Sequence, residues 1–233
     1  MADPNVDLLS RMAESLGALR EQLVFVGGCA TSLLITDPAA APVRITVDVD
    51  AIVAVVSLAS YHKLGDVLRA KGFSQTSEQG EPPYRWTLAG MKLDLMPLDP
   101  AVLGFSNRWY EIALQTAVKI VLPAGLEIRL ITPPCFVATK LDAFLDRGEG
   151  DYLASHDLED VLSVIDGRPE LVGELARSEP ELRKFVASVV ARLLQDDDFL
   201  NALPGLVLEG SPQGRANIVL ERLREIAGIN TGD

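Results

Sequence analysis

Two aspartates, Asp48 and Asp50, interrupt the otherwise apolar stretch RITVDVDAIV at residues 44–53. Alternate side chains of a strand share a face. Arg44, Thr46, Asp48 and Asp50 are therefore expected on one side, and Ile45, Val47 and Val49 on the other, in the core. Two carboxylates on adjacent pleats repel each other unless a cation lies between them. Such hard oxygen donors suit Mg²⁺, whose shell is completed by water and substrate phosphates. A later apolar stretch, MKLDLMPLD, carries one more acid, Asp94, expected on its exposed face beside Lys92. If the two strands are neighbours, three carboxylates meet. Metal ions held by Asp48, Asp50 and Asp94, two of them in the fullest arrangement, would clamp the attacking and leaving oxygens in phosphoryl transfer. The plainer reading is a solvent-facing strand whose acids pair with Lys or Arg, and Arg44 and Thr46 share that face.

Upstream, FVGGCATSLL reads as a strand, then Gly27-Gly28, then a helix. Paired glycines let backbone approach a ligand closely. A helix N-terminus offers unpaired N–H groups to phosphate. A tight turn alone also explains the glycines. Cys29 follows them without a nearby His, so a thiol nucleophile is not expected. His62 lies on an amphipathic helix and reads as a surface or packing residue. In NRWY, residues 107–110, an Arg stands beside two aromatics. These could stack on a base or plug the sheet edge.

Positioning these groups requires both strands and helices. Asn5–Arg20 has helical spacing and Leu23–Val26 is a short buried strand. Leu58–Ala70 reads as an amphipathic helix. Strands are expected around Phe73–Thr76, Tyr84–Leu88 and Lys92–Met96, with turns at Gly80–Pro83 and Ala89-Gly90. NRWYEIALQTA is a turn into a short helix, and VKIVL with LEIRLI a hairpin. From Pro133 onward the pattern is helical: Phe136–Leu145, Leu153–Ile165, Pro169–Arg177, Glu181–Leu194 and Gly214–Ile226. The expected class is α/β (α+β), a mixed sheet flanked by helices over residues 1–132 and a helical subdomain over 133–233.

Composition narrows the function classes. The 233 residues are 48% hydrophobic and 23% charged, a folded rather than disordered balance. The apolar runs are too short to span a bilayer. MADPNVDLLS lacks the basic and apolar regions of a secretory signal. The two cysteines, Cys29 and Cys135, form no zinc spacing and read as buried thiols of a cytoplasmic protein. A net charge of −12 argues against broad DNA binding.

The order strand, Gly27-Gly28, helix, Asp48-x-Asp50 strand and later Asp94 strand resembles the nucleotidyltransferase fold of the DNA polymerase β superfamily. Gly28 and Asp48 lie further apart than in that pattern, with TDPAAAPVRIT between them. The segment ATKLDAFLDRGEGDYLASHDLEDVLSVID resembles the C-terminal signature of the AbiEii/AbiGii toxin family, with His156 where relatives carry a basic residue. Lys140 and Arg147 are seven residues apart, and Asp157 and Asp160 three, so each pair shares a helix face.

The resemblance, over residues ~20 to ~170, implies transfer of a nucleoside monophosphate from an NTP. Asp48 and Asp50 would bind Mg²⁺, and Asp94 would complete the metal site and act as base. Gly27 and Gly28 would contact the triphosphate, and Lys140 would neutralise its charge with Arg147 in support. Asp157 and Asp160 would orient Lys140 or touch the nucleotide, and His156 is a weaker candidate. It further implies an RNA or tRNA-end acceptor and a cognate antitoxin, with a protein hydroxyl or a small molecule as open alternatives for the acceptor. A helix–helix salt-bridge network explains Lys140, Arg147, Asp157 and Asp160 equally well. A silent module of the same fold, binding without catalysis, is the rival reading.

Overall fold

A computed structural model describes residues 3–55, 57–75, 82–104, 106–147, 151–207 and 215–229. The chain divides into two compact units, Met1–Ser32 with Ile45–Thr132, and Leu33–Arg44 with Pro133–Asp233. Among the described residues no helix is long and apolar enough to cross a membrane.

The first unit is built on a six-stranded mixed sheet. Its strands are β1 (Leu23–Val26), β2 (Asp48–Val53), β3 (Arg85–Leu88), β4 (Met91–Pro97), β5 (Val118–Val121) and β6 (Glu127–Leu130), in the order β3-β4-β2-β1-β6-β5. β2 runs parallel to β4, and β1 parallel to β6; the other neighbours are antiparallel. All four residues of β1 are buried, as befits a strand in the middle of a covered sheet. The expected hairpin is present as β5 and β6.

Helix α1 (Pro4–Leu16) starts where Asp3 accepts from the backbone N–H groups of Asn5 and Val6, with Pro4 in the first turn. It buries Leu8, Leu9, Met12 and Leu16, and stops at Gly17, earlier than the expected Arg20. Gly17–Gln22 continues as a 3₁₀ helix. Helix α1 packs on β2, on β4 and on the turn after β1. Helix α3 (Leu58–Ala70) is capped by Ser57 and buries Tyr61, Leu64 and Leu68. Its Gly65 lies against the Trp86 ring of β3, where a Cβ would come within 3.1 Å of the ring.

Two local expectations fail. Helix α2 (Thr31–Leu34) is a single turn preceded by a 3₁₀ turn at Gly28–Ala30, not a helix beginning at Cys29. The acid strand begins at Asp48, so Ile45 and Val47 are not core residues; they are 65% and 72% exposed. Among the described residues their backbone joins no strand ladder. Of the strand expected at Phe73–Thr76, Ser74 makes an isolated bridge to Thr87; Thr76 and the first half of the turn at Gly80–Pro83 lie outside the described residues. Short helices α4 (Pro100–Leu103) and α5 (Tyr110–Thr116) complete the unit.

The second unit holds α6 (Pro133–Arg147), α7 (His156–Gly167), α8 (Leu171–Ala176), α9 (Pro180–Leu193), α10 (Asp197–Val207) and α11 (Arg215–Gly228). Helix α7 starts at His156 rather than Leu153 because the Ser155 hydroxyl accepts from Leu158 N–H. The sequence reading missed α10, which contains Pro204. A start signal was available, since Asp196 accepts from the N–H groups of Asp198 and Phe199. The start expected for α11 at Gly214 lies outside the described residues.

Residues 33–44 group with these helices. The carbonyl of Gly167 accepts from both Thr36 N–H and Asp37 N–H at 2.9 Å. Arg168 donates to the Leu34 carbonyl at 2.8 Å. Arg215 holds Asp166 through its Nε, at 2.7 and 2.8 Å, and Asp37 through Nη2 at 2.9 Å. Arg215 and Asp166 are buried, so each needs the other.

A Cβ at Gly167 would lie 2.8 Å from both branches of Ile35 and 3.2 Å from Ala40 Cβ. Alanine ordinarily favours a helix over glycine. Here the stiff β-branched neighbour decides the sign. Gly167→Ala is expected to destabilise the protein by about 1–3 kcal/mol, measured by urea unfolding; a stabilised variant would show that residues 33–44 do not pack on α7.

Candidate functional site

The parallel ladder of β2 and β4 sets Asp50 opposite Asp94 and Asp48 opposite Lys92. Facing residues on neighbouring strands point to the same side. The three carboxylates therefore share one face, while Val49, Ala51, Leu93 and Leu95 fill the other, fully buried. Asp48 and Asp50 are half-buried. Asp94 is buried, with 5% of its surface exposed, and so does not sit on an exposed face as expected.

A buried carboxylate requires a cation or several donors. Arg85 supplies them. It stands opposite Asp94 in the antiparallel β3–β4 pair. Its Nε donates to Asp94 Oδ1 at 2.7 Å and its Nη2 to Asp94 Oδ2 at 2.7 Å, a two-point clamp. The same Nη2 reaches Asp48 Oδ2 at 3.2 Å. Thr46 Oγ1 donates to Asp48 Oδ1 at 2.8 Å, and Asn5 Oδ1 accepts from Thr46 N–H at 2.9 Å. On the same strand as Asp94, the Leu95 carbonyl accepts from Tyr61 Oη at 3.1 Å. Burial pushes the Tyr61 phenol up to about 12, and the charge of Asp94 adds to it.

Gly27 answers why a glycine precedes this face. Its φ of 73° lies where L side chains are rarely found. A Cβ there would overlap the Asp50 carboxylate, with Asp50 Cβ 2.7 Å away. Val26 pairs with Asp50 across β1 and β2, so the chain turns over that aspartate at its next residue. Gly28 opens the 3₁₀ turn and is buried. The backbone of the double glycine thus lies beside the acid face. The helix after it is one turn long, too short to supply a developed helix dipole.

The donor chemistry of Asp48, Asp50 and Asp94 suits a hard divalent ion, but their arrangement does not fit one bound by all three. Among the described residues no three or more Asp, Glu, His or Cys side chains are grouped to hold a metal. Both oxygens of Asp94 and one of Asp48 face the Arg85 guanidinium instead.

Lys140, Arg147, Asp157 and Asp160 come together in the helical unit. Lys140 Nζ lies 3.1 Å from Asp157 Oδ1 and 2.7 Å from Asp160 Oδ2. Arg147 Nη2 is 2.9 Å from Asp157 Oδ2. The cluster bridges α6 and α7 as an ion-pair network. Arg44, expected on the acid strand, pairs with Glu159 at 3.4 Å and Asp160 at 3.6 Å.

The remaining candidates lie outside the acid face. His156 and His62 are exposed, and His156 Nδ1 lies 3.2 Å from Glu159 Oε2. Trp109 and Tyr110 are buried, with Tyr110 Oη 3.0 Å from Met96 Sδ. Cys29 is buried and donates to the Val26 carbonyl at 3.4 Å.

No protein-family model and no curated protein matches the chain. Among solved structures, it is similar to an antigenic nucleotidyltransferase-like protein from Paracoccidioides brasiliensis. The identity is 22% and the TM-score 0.51, over 86% of this chain and 92% of that one. This chain has a nucleotidyltransferase-like fold. A weaker likeness is to the antibiotic-resistance factor ANT(2'')-Ia in solution, at 13% identity and TM-score 0.46 over 84% of this chain and 96% of that one. The same protein in complex with adenylyl-2''-tobramycin gives 15% and 0.46, over 80% and 97%.

Arg85 is the site residue the sequence reading missed, although a signal for it existed. Ala89 and Gly90 both have positive φ, 48° and 81°, as a two-residue type I′ hairpin demands. Leu88 and Met91 close that turn, and counting back along the ladder sets Arg85 opposite Asp94. Turn length fixes register, and register fixes which charge meets which.

Two substitutions separate these roles. Gly27→Ala is expected to cost on the order of 3 kcal/mol and to displace Asp50, read by urea unfolding and a crystal structure; an unmoved Asp50 would contradict the packing described. Lys140→Met takes the 2.7 Å partner from buried Asp160 and leaves Arg44 at 3.6 Å, and stability should drop by roughly 3 kcal/mol without any ligand present. Unchanged unfolding would remove the structural role of the network.

Proposed function

We propose that this protein is a nucleotidyltransferase that moves a nucleoside monophosphate from an NTP to an acceptor hydroxyl. The observation that supports this reading is the shared face of Asp48, Asp50 and Asp94 beside the glycine backbone at Gly27. In the reaction, the acceptor oxygen attacks the α-phosphorus, the bond from that phosphorus to the bridging oxygen breaks, and pyrophosphate leaves. The acceptor's proton goes to a carboxylate. Asp94 is the candidate base, and it can take that proton only when Arg85 has released one of its oxygens. Gly27, half-buried beside Asp50, and Gly28, which opens the buried turn after it, would border a triphosphate without a side chain in the way. The Mg²⁺ requirement belongs to the proposal through the donor chemistry alone.

The resemblance of the Lys140–Asp160 region to AbiEii/AbiGii toxins extends the proposal to a setting and an acceptor. RNA, with the tRNA end first, is the favoured acceptor, a protein hydroxyl the second, and an antitoxin the expected partner. A net charge of −12 favours a small contact area on RNA. A second reading has its own observation. The clamp of Arg85 on Asp94 suits a silent module that binds a nucleotide or partner without transfer.

Purified protein incubated with labelled NTPs, Mg²⁺ and total RNA should transfer label, and Asp48→Ala with Asp50→Ala should abolish it. No transfer of label to any acceptor would favour the silent module over the transferase.

A further inference from the structure

We propose that Arg85 is the resident cation of the acid face, holding Asp94 and Asp48 in an ion pair that a divalent metal must displace. This goes beyond the transferase reading and rests on it only for its purpose. The geometry carries the argument. Arg85 donates to Asp94 from Nε and Nη2, and Nη2 also donates to Asp48. A metal ion bonds carboxylate oxygens at about 2.1 Å, which would bring a double positive charge against the guanidinium. The two cations cannot occupy this position together.

The ion pair can open. Asp94 has 7% of its side chain exposed and Arg85 17%, but Asp48 has 28%. The cluster therefore meets solvent on its Asp48 side, where a metal would enter. Asp48 is also the weaker end of the clamp, at 3.2 Å against 2.7 Å for Asp94. Arg85 offsets part of the carboxylates' charge while no metal is present, which stabilises the sheet. The same contact weakens metal binding. A lysine at this position would keep the charge but lose the planar two-point match to Asp94.

Mn²⁺ binding to the full chain, followed by electron paramagnetic resonance, tests this without any transfer reaction. Arg85→Gln is expected to bind Mn²⁺ at least tenfold more tightly than the wild type, with Arg85→Lys between them. Adding Asp94→Asn to the Gln variant should cancel the gain. Equal affinity in wild type and Gln variant, or a gain that survives Asp94→Asn, overturns the proposal. Should the Gln variant not fold, the Lys variant decides alone: no gain over wild type overturns it. A metal gain without label transfer in the NTP assay would leave this inference standing and remove the transferase reading. Transfer with equal Mn²⁺ affinities would do the reverse.

Discussion

A carboxylate inside a sheet has to be compensated, and the centre of this molecule is organised by that requirement. Asp94 is buried on β4 with Asp50 directly across on β2 and Asp48 two residues before it. Left alone, these charges would oppose the pairing of the two strands. Arg85 makes the pairing tolerable by matching both oxygens of Asp94. The hairpin that delivers Arg85 is thus as much a part of the acid face as the strands that carry the acids. Gly27 contributes from the other side, because only a residue without a side chain can pass over Asp50.

The helical unit solves a similar problem with the same chemistry. Asp160 and Asp166 on α7 are both buried, and each is met by a basic group from another helix: Lys140 on α6 and Arg215 on α11. Such pairs contribute little net stability compared with apolar packing, but removing one partner strands a buried charge. They tie α7 to particular neighbours and to residues 33–44, whose backbone bonds to Gly167. Lys140 and the two aspartates of the AbiEii-like segment therefore have a structural task whatever else they do.

Fold and chemistry meet at one tension. The nucleotidyltransferase-like fold presents carboxylates on adjacent parallel strands, an arrangement suited to phosphate chemistry. The same carboxylates are engaged by an arginine whose geometry is better matched to Asp94 than to Asp48. On the proposed reading, a metal would have to take the place of that arginine by a side-chain movement, with no change of fold.

Much of this was legible in the residues. Period-two alternation pointed to the acid face over Asp48–Asp50, apolar spacing located most helices, and Gly27-Gly28 marked backbone that the structure sets beside Asp50. These are local properties, set by the steric and hydrogen-bonding preferences of a few neighbouring residues. Other features depended on what lay across from them. Ile45 and Val47 read as core because their sequence alternates, yet both lie before the strand and are exposed. Arg44 left the acid face for Glu159 and Asp160, far away in sequence. Helix α10 escaped notice behind Pro204. Sequence alone determined that three aspartates stood on strands with one polar face. Only the tertiary structure decided that Arg85 would hold two of them, because strand register, not sequence distance, determines which charges come within reach.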